Sequence, residues 1–220
     1  MTGFFEFAWD SLPALLRGTA ITLTIWGICI SIGTLLGILL SLGRVYGNKV
    51  IYRFSTIYVE IFRGTPMLAQ MLIIYLGLPD IGIIFQPIVA ASIAIGLNTA
   101  AYQAEYFRGA IQTIPAGQMI AARSIGMSKA KAICYIILPQ ALRVSIPQWS
   151  NEVILELKFT SIAFAIGVPE LMAQAKIIGF RTFRYSEIFA ITALIYLFLV
   201  TIITRLLDIF EKRVRIPGYK

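Results

Sequence analysis

The segment between the third and fourth long apolar stretches reads RGAIQTIPAGQMIAARSIGMSKAK, from Arg108 to Lys131. It is too long for a simple connection, and it contains its own helix signals. Pro115 suits the beginning of a short helix, Gly126 suits a helix C-terminal cap, and Ser128 can cap the helix that follows. The segment therefore predicts two short helices joined by a tight turn, set between membrane-spanning parts of the chain.

The composition of the chain indicates a membrane protein. Of its 220 residues, 58% are hydrophobic and 14% are charged, and the mean hydropathy is +0.81, whereas soluble domains average roughly 45–50% apolar and 25% charged residues. The formal net charge is +8, but the basic residues form no dense basic face, so we do not expect nucleic acid as a partner. The first apolar segment follows Glu6 and Asp10, which is the wrong charge order for a cleaved signal peptide, and we expect it to be retained.

Five segments are long enough to cross a hydrocarbon core, which takes about 20 helical residues. We place them at about residues 15–43, 54–78, 87–107, 145–167 and 187–210, in a single transmembrane domain over residues 1–220. The first contains Gly27, Gly33 and Gly37, which include a small-xxx-small pair that permits close approach of another helix. Before the fourth span, we expect a membrane-surface helix to end near Leu142 and the spanning helix to begin near Pro147.

Basic residues concentrate on one side of these spans, as is typical of the cytoplasmic side of membrane proteins. Three groups follow spans one, three and five, and they comprise Arg44, Lys49, Arg53, Arg108, Arg123, Lys129, Lys131, Lys212, Arg213, Arg215 and Lys220. The opposite side has an acidic N-terminus, although Lys176, Arg181 and Arg184 in its last loop run against the rule. The distribution predicts an N-terminus outside the cell and a C-terminus in the cytoplasm.

Four fragments of the sequence, in this order, resemble one family of transport proteins. They are EIFRGTPMLAQ (residues 60–70), LGLP (76–79), AAYQAEYFRGAIQTIPAGQMIAARSIGMS (100–128) and ILPQALRVSIPQWSNEVILELKFTS (137–161). The chain is similar to permease subunits of ATP-binding-cassette (ABC) importers, in the branch that transports polar amino acids such as histidine, glutamate, glutamine, arginine and opines. The resemblance covers nearly the whole chain and implies an all-α membrane protein of five transmembrane helices, with the type I importer permease fold.

The resemblance also implies an assembly. A second permease subunit, identical or paralogous, would complete the translocation pathway. Two separate ATPase subunits would bind ATP and Mg, and an extracellular or periplasmic binding protein would deliver the amino acid. The implied location is the lipid bilayer of the prokaryotic plasma (inner) membrane, and the chain itself is expected to hold no cofactor and no metal ion.

In that family, the loop at about residues 115–130 contains a coupling helix that contacts the ATPase subunit. The resemblance assigns this contact to Gly117, Gln118, Ala121, Ala122, Arg123, Gly126 and Met127. Small alanine side chains permit close docking, and Gly126 permits the sharp exit from the helix. Where the family usually has Glu-Ala-Ala, this chain has Ile at position 120, so an acidic contact is missing, and Gln118 or Arg123 is the candidate substitute.

Charged residues at membrane depth cost about 2.5–3.5 kcal/mol or more each, and they usually face a transport pathway or a partner. The family typically has Lys-Asp-Thr-Ser where this chain has Lys158-Phe159-Thr160-Ser161, so a ring replaces the acid, while Glu156 lies one turn earlier. We hypothesise that Glu156, Phe159 and Thr160 line a polar pocket for an ammonium group or a cationic side chain. Further candidates for this pocket are Asn98, Gln103 and Asn151. The alternative is that Glu156 only pairs with a Lys or Arg of a neighbouring helix.

Nothing in the sequence indicates catalysis. No phosphate loop of the G-x-x-x-x-G-K-[ST] type occurs, so ATP would be hydrolysed by another chain. The chain has no His, and its two cysteines, Cys29 and Cys134, show no metal-ligand spacing. Two other classes stay open. One is a proton-coupled secondary transporter using Glu60, Glu105 and Glu156, which would normally show an internal repeat that this sequence lacks. The other is a channel or scaffold subunit, which would not explain the segment at 108–131.

Overall fold

The computed structural model describes residues 3–214, and every regular element in that range is helical. The α-helices are α1 (Phe4–Tyr46), α2 (Lys49–Gly64), α3 (Met67–Leu72), α4 (Pro87–Thr113), α5 (Ala116–Ser124), α6 (Lys129–Ala132), α7 (Leu138–Phe159), α8 (Leu171–Thr182) and α9 (Tyr185–Val214). Turns of π-helix at Ile73–Gly77 and Ile133–Ile137, and of 3₁₀-helix at Leu78–Ile81 and Thr160–Ile166, extend α3, α6 and α7. Arg215 and Lys220, counted above among the basic residues, lie outside the described residues.

The most extensive helix contact joins α1 to α4. A Cβ atom at Gly33 would lie 2.5 Å from Cγ2 of Thr99, and one at Gly37 would lie 2.9 Å from Cβ of Gln103. Both distances are below van der Waals contact, so only glycine permits the observed separation of these helices. The predicted close approach is therefore confirmed for this pair, whereas Gly27 faces open space.

Two helices, α1 and α9, are long and apolar enough to cross a membrane on their own. The number rises to as many as four when each of two bent helix pairs is treated as one span. The helix α4, which holds the predicted third span, is largely buried by its neighbours. A helix covered by protein has less need of apolar side chains toward lipid, and the count of five spans stays a prediction.

The second predicted span, at about 54–78, is interrupted in the structure. The helix α2 ends at Gly64, and the helical segment Met67–Ile81 leaves it at an angle of 106°. Pro66 explains the bend, because its nitrogen carries no hydrogen and cannot donate to the carbonyl of Phe62 as a continuous helix requires. The expectation of one continuous helix is corrected accordingly.

The predicted break before Pro147 is absent. Helical backbone runs without interruption from Lys129 to Ile166, through α6, a π-helical turn, α7 and a 3₁₀ segment. Pro147 is exposed, while Ser145, Ile146 and Ser150 on either side of it are buried. The proline removes one backbone hydrogen bond, but the packed residues around it keep the helix intact.

The last predicted outer loop, with Lys176 and Arg181, contains the helix α8. Glu170 caps this helix, since its carboxyl oxygens accept hydrogen bonds from the amides of Met172 at 2.9 Å and Ala173 at 2.7 Å. The same carboxyl accepts from the hydroxyl of Thr22 on α1 at 3.4 Å and from Tyr196 on α9 at 3.3 Å. Glu170 thus joins three helices, which explains why a charged residue is fully buried there.

Candidate functional site

A cleft of about 340 Å³ opens between α4, α7 and the bend after α2. This volume falls at the lower end of ligand pockets, which measure roughly 300–1,000 Å³. Its walls are formed by Thr65, Pro66, Met67, Asn98, Tyr102, Tyr106, Glu152, Leu155, Glu156, Phe159 and Ile162. The lining combines carboxyl, amide and phenol groups with apolar side chains, as small-molecule sites do.

Two acidic residues of α7 face this cleft from positions four residues apart. Glu152 and Glu156 are 5% and 1% exposed, so both carboxyl groups are largely removed from water. The hydroxyl of Tyr106 donates to Glu152 at 3.1 Å, whereas Oε2 of Glu156 has no hydrogen-bond partner within residues 3–214. No Lys or Arg in that range forms an ion pair with Glu156. A buried carboxyl oxygen that accepts no hydrogen bond is costly, and it is typical of a site that receives its partner from a ligand.

The amide of Asn98 holds the bend after α2 in place. Its Nδ2 donates to the carbonyl of Phe62 at 2.9 Å and to Oε1 of Gln70 at 3.0 Å. Nε2 of Gln70 donates to the same Phe62 carbonyl at 2.9 Å and to the hydroxyl of Thr65 at 2.7 Å. These side chains replace the hydrogen bond that Pro66 cannot make, so the cleft wall at 65–67 is fixed to α4.

A cluster of basic residues surrounds Glu105 at the C-terminal end of the predicted third span. Arg44 of α1 pairs with Glu105, and Arg108 donates to it from Nη2 at 2.6 Å and Nε at 3.1 Å. Arg63 of α2 approaches the same carboxyl at 3.8 Å. Its guanidinium also lies over the ring of Tyr102, a cleft residue, at 5.3 Å from the ring centroid. Positive charge therefore adjoins the cleft that holds the acidic pair.

Three of the residues predicted for the substrate pocket line the cleft, and they are Glu156, Phe159 and Asn98. The side-chain amide of Asn98 is already hydrogen-bonded to Phe62 and Gln70 at the bend, while the ring of Phe159 is exposed. The position of Glu156 on the cleft-facing side of α7, without a Lys or Arg partner in the described part of the chain, agrees with the pocket hypothesis better than with a purely structural pair.

The other three predicted residues do not line the cleft, and they are Gln103, Asn151 and Thr160. Gln103 lies five positions after Asn98, and Asn151 lies five before Glu156, so each points about 140° away around its helix. Gln103 contacts α1 near Gly37 instead. Thr160 begins the 3₁₀ segment, where the backbone turns more tightly, and its hydroxyl donates to the carbonyl of Leu157 at 2.7 Å.

Sequence reasoning missed Glu152, Tyr102 and Tyr106 as cleft residues. A signal for each was available, because Glu152 precedes Glu156 by four positions and the two tyrosines follow Asn98 by four and eight. Residues at this spacing share one face of a helix. What the spacing does not show is which face of α4 meets which face of α7.

The predicted pair of short helices at 108–131 is present. Pro115 precedes α5, Gly126 has a left-handed φ of 86°, and Ser128 caps α6 by accepting from the amide of Lys131 at 3.3 Å. The amide of Met127 donates to the carbonyl of Ala122 at 3.1 Å, and that of Gly126 to Arg123 at 3.0 Å. This is the Schellman pattern of helix ends, which requires a residue with positive φ.

The residues predicted to contact an ATPase fall into two sets. Gly117, Gln118, Ala121, Arg123 and Gly126 are exposed, whereas Ala122 is the buried residue of α5 and Met127 is half-buried. Arg123 donates to the carbonyl of Met127 at 2.8 Å, so its side chain helps to hold the turn. Ile120, in the middle of α5, and Ile125, just after its C-terminal end, are 65% and 80% exposed, which gives this surface an apolar character.

A model of the family described as "Binding-protein-dependent transport system inner membrane component" matches residues 33–216. The chain belongs to this family. It is therefore a membrane component of a binding-protein-dependent transporter, and it is located in the plasma membrane.

This permease is similar in sequence to permeases that are named for amino-acid transport. It is 38% identical over 208 residues to the probable amino-acid ABC transporter permease protein YckA of Bacillus subtilis, covering 94% of this chain and 92% of YckA. It is 38% identical over 209 residues to the histidine/lysine/arginine/ornithine transport system permease protein HisM of Escherichia coli, covering 90% of this chain and 88% of HisM. The similarity spans nearly the full length of each protein.

The fold of the permease matches that of a solved importer. A chain in the crystal structure of an amino acid ABC transporter with histidines superposes with a TM-score of 0.87 at 37% identity, covering 97% of this chain and 99% of that one. The resemblance to ABC importer permeases and the all-α importer fold are thereby confirmed. Within the described residues, no group of three or more His, Cys, Asp or Glu side chains is placed to hold a metal ion.

Proposed function

We propose that this permease forms the translocation pathway for a polar amino acid in an ABC importer, and that the cleft between α4 and α7 binds the amino acid. The observation that carries the assignment is the pair of carboxyl groups, Glu152 and Glu156, buried on one wall of a cleft. Glu156 has an oxygen without a partner among residues 3–214. The ammonium group of an amino acid, or a cationic side chain, would supply that partner.

The remaining lining fits the same ligand. The rings of Tyr102, Tyr106 and Phe159 can contact a cation through their faces and the carbon chain of an amino acid through van der Waals contact. The names of similar permeases, which include histidine, lysine, arginine and ornithine for HisM, support a polar or cationic amino acid.

The importer contains other subunits in this proposal. A second permease, identical or paralogous, faces this one, two ATPase subunits bind ATP and Mg, and an extracellular or periplasmic binding protein delivers the amino acid. This chain has no catalytic role. Its α5 docks on the ATPase through small residues and the exposed Ile120 and Ile125, an apolar contact in place of the family's acid. The N-terminus lies outside and the C-terminus in the cytoplasm, since the basic groups follow spans one, three and five.

Uptake into proteoliposomes tests the proposal. The complex, reconstituted with its ATPase subunits and binding protein, is expected to import a labelled amino acid only with ATP. Glu156→Gln removes the carboxyl that would form a charged hydrogen bond with a bound ammonium group, and it should lower uptake about tenfold or more. Glu60→Gln, the same change at an exposed position of α2, is the matched control and should retain uptake.

Two results would contradict this assignment. Equal uptake by wild type and Glu156→Gln would show that the cleft carboxyl does not bind the amino acid. Uptake driven by a proton gradient without ATP, with loss in Glu60→Gln, would instead favour a proton-coupled secondary transporter.

A further inference from the structure

We propose that Arg63 binds the carboxylate of the transported amino acid, opposite the acidic pair that binds its positive charge. The inference rests on the proposed amino-acid function and adds a second pole to the same cleft. It follows that the permease selects molecules with a free carboxylate as well as an amino group, and rejects the corresponding esters.

The guanidinium of Arg63 has unused donors. Within residues 3–214 it makes no hydrogen bond, since its approach to Glu105, from Nη1 to Oε1, is 3.8 Å, which exceeds hydrogen-bond distance. Arg44 and Arg108 already pair closely with that carboxyl. The side chain of Arg63 is 42% exposed, against 13% for Arg44 and 30% for Arg108. Of the three arginines around Glu105, Arg63 is the one available to a ligand.

The backbone of α2 holds Arg63 beside the cleft, two residues before the wall residue Thr65. The preceding residue, Phe62, has its carbonyl bound by the amides of Asn98 and Gln70, and its ring stacks on Tyr58 at 4.5 Å between centroids. The next residues along the chain, 65–67, form part of the cleft wall. The guanidinium itself is oriented by the face of Tyr102, so its planar set of donors is positioned before a ligand arrives.

Arg63, beside the cleft, carries a charge opposite in sign to that of the acidic pair that lines it. Arg63 interacts electrostatically with Glu152 and Tyr106, yet it forms no salt bridge with either cleft carboxyl in the described residues. A zwitterion that donates its ammonium to Glu152 or Glu156 and accepts two parallel hydrogen bonds from Arg63 would satisfy both groups. An amine without a carboxylate would leave Arg63 unsatisfied.

Binding of acid and ester pairs to the purified permease–ATPase complex tests this role. The probes are histidine, lysine, arginine and glutamine, each compared with its methyl ester by calorimetry. The wild-type complex should bind the acid of its preferred pair about tenfold or more tightly than the ester, since one charged hydrogen-bonded contact is lost. Arg63→Gln should bind the acid and the ester within about threefold of each other, and Arg63→Lys should recover part of the preference because it keeps the charge without the fork.

Control variants separate this role from general damage. Arg108→Gln removes the same charge from the same cluster, but its guanidinium is bound to Glu105 and Gln112, so the acid-to-ester preference should persist. Glu156→Gln should weaken both members of a pair equally. An unchanged preference in Arg63→Gln overturns the Arg63 proposal while leaving the amino-acid site intact. Failure of every probe to bind the wild-type complex would overturn the cleft assignment and this proposal together.

Discussion

The contact between α1 and α4 permits a sharp test, because its closest point is a glycine against a locked side chain. Gly33→Ala would place a Cβ 2.5 Å from Cγ2 and 2.9 Å from Cβ of Thr99. Thr99 cannot rotate away at no cost, since it is fully buried and its hydroxyl donates to the carbonyl of Ile95 at 2.8 Å. The helices must separate, and overpacking of this kind costs about 1–3 kcal/mol.

Thermal unfolding of the detergent-solubilised protein measures this cost. A domain of this size loses roughly 2–4 °C per kcal/mol, so Gly33→Ala should lower the unfolding temperature by roughly 2–12 °C. Gly27→Ala on the same helix faces open space and gains about 1 kcal/mol of helix propensity, so it should leave the temperature unchanged or raise it.

A second substitution makes the test specific. Thr99→Ser removes Cγ2, the nearest atom, but keeps the hydroxyl that binds Ile95. Added to Gly33→Ala, it should restore part of the lost stability, although Cβ of Thr99 stays close. Equal unfolding temperatures for Gly33→Ala and Gly27→Ala, or no recovery in the double variant, would refute the close packing of α1 on α4.

Two further substitutions test the bend at Pro66 and the coupling segment, residues 108–131. Asn98→Leu leaves the buried carbonyl of Phe62 with one hydrogen-bond donor fewer, so it should cost about 1–3 kcal/mol of folding stability. This cost would be measured as a lower unfolding temperature. An unfolding temperature equal to that of wild type would show that Gln70 alone suffices to hold the bend. Gly126→Ala forces an alanine into a left-handed conformation, at φ 86°, and costs about 1–2 kcal/mol there. It should slow ATP-driven uptake without changing amino-acid binding, whereas Gly109→Ala on α4, which faces open space in ordinary helical backbone, should do neither.

The coupling segment was predictable from sequence because its signals are local. Pro115, Gly126 and Ser128 each act on the backbone within one or two residues, and the structure has each of them where those properties require. The pair Gly33 and Gly37 could also be recognised from sequence, because two small residues four positions apart in one helix are a local pattern. Its partner on α4 could not be, since no local property of Thr99 indicates which helix it meets.

The bend at Pro66 and the composition of the cleft were not predicted. The segment 54–78, largely apolar and charged only at Glu60 and Arg63 near its start, concealed the effect of Pro66. That effect depends on Gln70 in the same segment and on Asn98 of α4. Conversely, Pro147 suggested a break that packing on both sides prevents. The cleft combines faces of α4 and α7, so Glu152 and Tyr102 became recognisable only when the two helices were placed together.

The uninterrupted helical run from Lys129 to Ile166 has a mechanical consequence. It begins beside α5, and both cleft carboxyls, Glu152 and Glu156, lie toward its C-terminal end. Because α5 packs against the start of this run, we expect a displacement of α5 to be passed along it to Glu152 and Glu156. If an ATPase subunit moves α5 in this way, thermodynamic reciprocity requires that filling the cleft alters the affinity of that subunit for its nucleotide.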